Sequence, residues 1–277
     1  MLASSLVVFA EPFHFFPPES RTLDAAVTEA LDALERRGVP LVLAGRGTRA
    51  EIEFARRRME NRHPLISESG GGLFLPEGYF RQRPPEAETI RHFHCISLAK
   101  PYAEACAELE RAAAEAKAEV AGFHQMSARE IAENSGLPAR WADLARQREY
   151  DEPFFFAGEE PRASRRLAEA AARRGWQVRR GERFWHISSG ADVGRAVHRL
   201  LEMYRVARHA RVRSVAIGSG AADLPLLKAA GRVWLLAGPG GEHDEKLLER
   251  LPGARRAEAG GPEGWAAAVM QILETSS

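Results

Sequence analysis

Gly218-Ser219-Gly220-Ala221-Ala222-Asp223-Leu224-Pro225 decides the fold. The stretch follows a short apolar run, Ser214-Val215-Ala216-Ile217, and leads into a helical pattern from Leu226 to Ala230. A strand that ends in a glycine-rich turn and then opens a helix is where α/β proteins keep their ligands. Asp223 places an acid at the carboxyl end of that strand. The run Ser5 to Ala10 is its counterpart near the start of the chain, and it passes directly into Glu11. Two such strand ends, facing one crevice, would bring Glu11 and Asp223 together.

The segments around these strands alternate in type. Leu23, Ala26, Val27, Ala30, Leu31 and Leu34 repeat at helical spacing between Thr22 and Arg37, and Gly38 ends the helix. Val39 to Ala44 is a continuous apolar run, as expected of a strand buried on both faces. Thr48 and Glu51 form a capping-box pair that opens a second helix, and Pro64 to Ser67 reads as a third strand. The rhythm changes near Arg81. A strand from Phe93 to Ala99, a helix from Tyr102 to Glu119 and short helices begun by Ser127 and Pro138 follow. A strand from Pro153 to Ala157, a helix from Pro161 to Arg174 and two strands about Gly181-Glu182 complete this segment. From Ala191 the alternation resumes. The expected fold is α/β: a doubly wound parallel-sheet core over 1–82 and 190–277, interrupted by an inserted α+β cap over 83–189.

Composition excludes several function classes. The 277 residues carry 39 Lys plus Arg against 38 Asp plus Glu, so no excess of charge argues for nucleic acid or a membrane surface. Cys95 and Cys106 are too few for a disulfide framework. The opening apolar run lacks a basic segment before it and breaks at Glu11-Pro12, and no run approaches the roughly 20 residues of a membrane helix. A cytoplasmic protein is expected.

An ordered set of motifs resembles the haloacid dehalogenase (HAD) superfamily, and within it mannosyl-3-phosphoglycerate phosphatase and related sugar-phosphate phosphatases. The set comprises Glu68-Ser69-Gly70-Gly71-Gly72-Leu73-Phe74-Leu75-Pro76, Arg148-Glu149-Tyr150-Asp151-Glu152 and Arg183-Phe184-Trp185-His186. It continues with Gly190-Ala191-Asp192, Gly194-Arg195-Ala196-Val197, Asp223-Leu224-Pro225-Leu226 and Gly261-Pro262-Glu263-Gly264. The resemblance implies a nucleophilic aspartate after the first strand and an acid/base aspartate two residues later. It also implies a hydroxyl and a lysine on the phosphoryl group, and acids that hold Mg²⁺.

At these positions the chain departs from the pattern. Glu11 stands at the nucleophile, one methylene longer than aspartate, and Phe13 stands at the acid/base. His14 and Phe15 replace a small residue and a hydroxyl, and so are expected to crowd the phosphate seat. Gly45 takes the hydroxyl position, Val193 the lysine, Ser219 the first metal acid and Ala222 the asparagine, which leaves Asp223. The combined losses point to a pseudoenzyme with no cofactor. It would bind a phosphorylated sugar, a sugar acid or a protein partner through Ser69, Gly70, Arg148, Tyr150, Asp151, Arg183, His186, Arg195, Gly218 and Ser219. The alternatives are an active Mg²⁺-dependent sugar-phosphate phosphatase, with Glu11 and Asp223 on the metal, and a structural subunit of a sugar-metabolism complex.

Plainer readings stand beside these. Glu11 reads as a salt-bridged acid at a strand end, Asp223 as a cap on the glycine-rich turn, and Ser219 as part of a tight turn or a backbone phosphate nest. His186 reads equally as a buried, hydrogen-bonded histidine. His92 and His94 share a strand face but lack a third metal ligand at fitting spacing. Phe154-Phe155-Phe156 reads as core, and Arg56-Arg57-Arg58 as a solvated helix face. Phe13, Phe15 and Phe16 read as core, as a self-filled pocket or as a protein-binding patch. If Phe13 and Phe15 fill the phosphate seat, the paired substitution Glu11→Asp with Phe13→Asp restores no phosphate release, and measurable turnover in the double variant counts against that packing.

Overall fold

The computed structural model describes residues 6–158, 160–181 and 183–275; Ser5 of the expected first strand and Glu182 of the expected turn lie outside them. The chain begins with β1 (Leu6–Ala10), α1 (Ala25–Arg36), β2 (Leu41–Ala44), α2 (Arg49–Arg58), β3 (Leu65–Ser67), β4 (Gly72–Pro76), β5 (Glu88–Ile90) and β6 (Phe93–Ser97). It continues with α3 (Tyr102–Ala116), β7 (Val120–Gly122), α4 (Ala128–Ser135), α5 (Ala139–Ala145), β8 (Asp151–Phe156), α6 (Glu160–Ala172), β9 (Gln177–Arg180) and β10 (Trp185–Ser188). The last part comprises α7 (Val193–Arg208), β11 (Arg213–Gly218), α8 (Leu224–Ala229), β12 (Arg232–Leu235), α9 (Glu245–Arg250), β13 (Arg255–Arg256) and α10 (Gly261–Glu274).

Among the described residues the strands form two sheets. The large one has nine strands in the order β13-β12-β11-β1-β2-β3-β4-β6-β5, and the small one four in the order β7-β8-β10-β9. β1 lies at the centre of the parallel part, with Val8 opposite Val215 of β11 and Leu41 of β2. Its five residues are all buried, which explains the unbroken apolar run. Leu6, Val8 and Ala10 pack with α1 and α10, where Trp265 is the largest buried side chain, while Val7 and Phe9 face Val197 and Leu200 of α7. Helices therefore cover both faces, as the alternating rhythm predicts. The helix starts follow local rules: Thr48 with Glu51 and Ser127 with Glu130 close capping boxes.

The segment 83–189 is shared between the two sheets. The strand expected from Phe93 is β6, which pairs antiparallel with β4 of the large sheet and carries β5 on its other edge. β4 itself was not anticipated; it doubles back from β3 after the glycine run. The elements from β7 to β10 form the small sheet, packed on one face by α3 and α6 around Phe154, Leu167 and Ile187. Phe154 is fully buried there, as a core reading requires.

A buried acid joins the two sheets. Glu68 follows β3 with a left-handed backbone (φ 48°) and has no solvent exposure. Its carboxylate accepts the backbone N–H groups of Glu149 at 2.8 Å, Tyr150 at 2.8 Å and Asp151 at 2.9 Å, where the chain enters β8. The Arg148 guanidinium lies 3.6 Å away. Burial raises the proton affinity of Glu68, and Arg148 and the N–H donors oppose that rise. Gly70 (φ 92°) lies against the start of α7, where a Cβ would stand 2.3 Å from the Asp192 backbone. In Glu68→Gln one oxygen is replaced by an amide that points its own N–H at a donor. The expected loss is about 2–4 kcal/mol in urea unfolding, and a change within experimental error would mean that this joint is dispensable.

Candidate functional site

The parallel strands β1, β2, β3 and β11 end at one edge of the large sheet, so Glu11, Gly45-Arg46, Ser69 and the Gly218 turn converge there. The small sheet stands opposite and contributes Asp151, Arg179, Arg180 and His186. Between them lies a cleft of about 610 Å³. An adjoining recess of about 430 Å³ shares Glu11, Arg46 and His186 with it and takes in Arg148 and Arg183.

Glu11 and Asp223 do meet, and both are buried. His14 lies between them, its Nε2 3.8 Å from Glu11 Oε2 and 3.4 Å from Asp223 Oδ2. The Arg46 guanidinium is 3.7 Å from Glu11, and the Arg46 N–H donates weakly to Glu11 Oε1 at 3.4 Å. Burial raises the proton affinity of Glu11 and Asp223 adds to this, while Arg46 and His14 oppose it. Asp223 does not cap α8. Its Oδ2 accepts the N–H groups of Ser219 at 2.8 Å and Gly220 at 3.1 Å, which closes the glycine-rich turn on itself.

The longer acid at position 11 has a counterpart at position 45. A Cβ built on Gly45 would stand 2.8 Å from Glu11 Oε1 and 2.9 Å from its Cγ and Cδ. Glu11 thus occupies the space that a side chain at 45 would need. The aromatic residues after Glu11 do not fill the cleft. Phe15 is stacked on Trp265 at 3.9 Å and buried in the core with Phe16. Phe13 turns edge-on to Trp141 of α5 at 5.4 Å. The expectation of a phosphate seat crowded by Phe15 is therefore corrected, because the core beneath α10 draws that ring away. The patch reading is corrected as well, since Phe15 and Phe16 are 1% exposed.

Several residues expected to bind ligand serve the fold. The Tyr150 hydroxyl is held by Ser97 at 2.9 Å and by Cys95 Sγ at 3.2 Å within the core. Arg148 is 5% exposed and pairs with Asp151 and Glu68. Arg195 is hydrogen-bonded to the Gly190 carbonyl at 3.4 Å, outside the cleft, and Arg183 lies over Gly136 in the recess. Gly70 and Gly218 act through close backbone approach: a Cβ on Gly218 would meet Asp223 at 2.8 Å. Ser69, Asp151 and His186 do line the cleft, and Val193 occupies the floor where the pattern has lysine. His186 Nδ1 is 2.8 Å from Asp151 Oδ2, and burial with Arg148 and Arg46 nearby pushes its pKa down to about 3. At neutral pH it therefore donates one N–H to Asp151 without adding charge. His92 lies 3.2 Å from Glu53, and His94 joins no metal-ligating cluster among the described residues.

Arg46, Arg179 and Arg180, the cations that line the cleft, were not singled out from the sequence. A cation directly after a strand-ending glycine was the available signal for Arg46. For the other two it was an arginine pair just before the Gly181 turn.

Glu11, His14 and Asp223 offer ligand atoms within 4.8 Å of one another. The set does not suit Mg²⁺, which takes near-octahedral oxygen ligands. One Asp223 oxygen is already spent on two amides and an imidazole intrudes. The His14 Nδ1, which a metal-binding histidine normally anchors, is buried without a hydrogen-bond partner.

These features define a HAD-type α/β protein, and solved structures agree. A Thermoplasma acidophilum protein superposes with a TM-score of 0.64 at 15% identity, over 98% of this chain and 99% of that one. A HAD-superfamily phosphatase from Bacteroides thetaiotaomicron gives 0.65 at 16%, over 98% and 96%. No family model matches. The glucosyl-3-phosphoglycerate/mannosyl-3-phosphoglycerate phosphatase of Methanococcoides burtonii is 33% identical over 248 residues, 90% of each chain. That of Persephonella marina is 30% identical over 256 residues, 90% of this chain and 91% of its own. The mannosyl-3-phosphoglycerate phosphatase of Pyrococcus furiosus is 27% identical over 74% of this chain and 81% of its own. The chain belongs to the glucosyl-/mannosyl-3-phosphoglycerate phosphatase family of the HAD superfamily. Among the described residues no helix is long and apolar enough to cross a membrane.

The Glu11–Gly45 contact is testable. Gly45→Ser should destabilise the protein by about 1–3 kcal/mol in urea unfolding. Adding Glu11→Asp should recover at least half of that, and strictly additive effects would show that the two positions are not coupled.

Proposed function

We propose that this protein binds a phosphorylated sugar acid of the glycosyl-3-phosphoglycerate type in the cleft, and that it has lost the aspartyl-type phosphoryl transfer of its family. The observation that carries this reading is Phe13. At the position of the general acid it has no proton to give, and its ring is turned to Trp141. General acid–base catalysis is worth about 10²–10⁴-fold, and no other side chain stands two residues beyond Glu11 to supply it. Val193 stands where the family pattern has a lysine on the phosphoryl group, so charge on the transferring phosphoryl oxygens meets no cation there.

Binding needs less, and the cleft retains it. Arg46, Arg179 and Arg180 line it, and arginine grips phosphate and carboxylate through paired N–H donors. Asp151 and the neutral His186 offer an acceptor and a donor suited to sugar hydroxyls. In this reading the small sheet and its helices form a cap inserted in the core, and the ligand bridges cap and core.

An active phosphatase is favoured by a different observation. The cleft is open above Glu11, and the missing side chain at Gly45 gives the longer carboxylate room. One experiment separates the two. Glucosyl- and mannosyl-3-phosphoglycerate are incubated with the protein, in Mg²⁺ and in EDTA, with phosphate release and melting temperature read together. Stabilisation of the melting transition without phosphate release is expected. Release abolished by EDTA would overturn the proposal and make the protein an enzyme.

A further inference from the structure

The small sheet carries a second cluster of ligating side chains, on the side of β8 away from the cleft. Along β8, Asp151 faces the cleft while Glu152 shares the opposite face with Phe154, against α3. Cys106 of α3, His124 in the turn after β7 and Glu152 bring a sulfur, a nitrogen and an oxygen within 4.8 Å of one another. Glu152 is fully buried. Its Oε1 lies 2.6 Å from His124 Nδ1 and accepts the His124 backbone N–H at 3.1 Å, whereas its Oε2 makes no hydrogen bond of good geometry, with the Tyr102 hydroxyl as the polar neighbour of both Glu152 and Cys106. A buried carboxylate oxygen left unpaired is costly and needs a compensating positive group.

We propose that Cys106, His124 and Glu152 form a binding site for a zinc-like divalent cation, independent of the reading of the cleft. The donor types are those of a Zn²⁺ site, one sulfur, one imidazole and one carboxylate, with a fourth position left for water. The imidazole is oriented for the task. Its Nδ1 faces Glu152, and its Nε2 lies 3.3 Å from Glu110 Oε1, one turn along α3 from Cys106. A carboxylate on the far ring nitrogen is the usual outer partner of a metal-binding histidine. His14 in the cleft lacks such a partner.

The backbone is shaped around the same point. A Cβ on Gly122 would stand 2.2 Å from Glu152 Oε1 and 2.8 Å from His124 Nδ1, so glycine lets the turn close over the carboxylate. Metal binding displaces the Cys106 thiol proton to solvent and leaves His124 Nδ1 free of its proton to ligate, with Nε2–H turned to Glu110. The ion would tie α3, the turn after β7 and the first residues of β8 together behind the cleft.

The test titrates the full-length protein, stripped by a chelator, with Co²⁺ as a spectroscopic substitute for Zn²⁺. A thiolate-to-cobalt absorption saturating near about one equivalent is expected, and Zn²⁺ should bleach it and raise the melting temperature. Cys106→Ser should abolish both effects, and Glu110→Gln should weaken metal binding about tenfold or more. Glu11→Gln should leave the absorption in place, which separates this site from the cleft. No absorption and no Zn²⁺-dependent stabilisation would overturn the proposal, as would an absorption that survives Cys106→Ser. If Cys106→Ser does not fold, the weakened titration of Glu110→Gln decides alone.

Discussion

The cleft depends on one buried carboxylate. Glu68 leaves the end of β3 and takes three consecutive backbone N–H groups from the segment that opens β8. A buried acid is costly to desolvate, and few arrangements repay that cost without a full set of donors. Here the donors belong to the other sheet, so satisfying the charge and joining the two sheets are one event. The distance between the sheets follows from this joint. With it come the positions of Asp151, the third donor residue, and of His186, which leans on Asp151. The close approaches at Gly70 and Gly71, where a Cβ would strike Asp192 and Tyr150, allow the chain to reach that geometry.

At the cleft edge the side chains share volume closely. Glu11 fills the space above Gly45, where a side chain would collide with it. His14 brings a nitrogen between Glu11 and Asp223, where two buried acids would otherwise repel each other. Phe15 finds its place on Trp265 and Phe13 on Trp141, so the rings stabilise the core and the joint with α5 instead of closing the cleft. What remains open is lined by arginine.

Much of the fold was legible because its signals are local. The buried apolar runs of β1 and β2, the capping boxes at Thr48 and Ser127 and the turn at Gly218 each carry their own reason within a few residues. The pairing of β4 with β6 was not, because nothing in either segment states which neighbour it will meet. The site was legible by position and less so by role. Glu11 and Asp223 meet as expected, since parallel strands must end at the same edge. Arg148 and Tyr150 lie in a motif that the family resemblance marks for ligand binding, yet both side chains are buried, one on acids and one on Ser97 and Cys95. Arg179 and Arg180 carry little signal in the sequence, because a short arginine-rich edge strand resembles solvated surface until the sheet opposite it is known.

Strand alternation sets the two faces of β8 apart. Asp151 and Glu152 are adjacent in sequence, so one points into the cleft and the other toward α3, and neither can move without the other. The backbone N–H of Asp151 is held by Glu68, whereas Glu152 accepts the backbone N–H of His124. The entrance to β8 is thus pinned to the large sheet on one side and to the turn after β7 on the other. A strand held from both faces fixes Asp151 and its partner His186 at the cleft wall, with little freedom left to lose there.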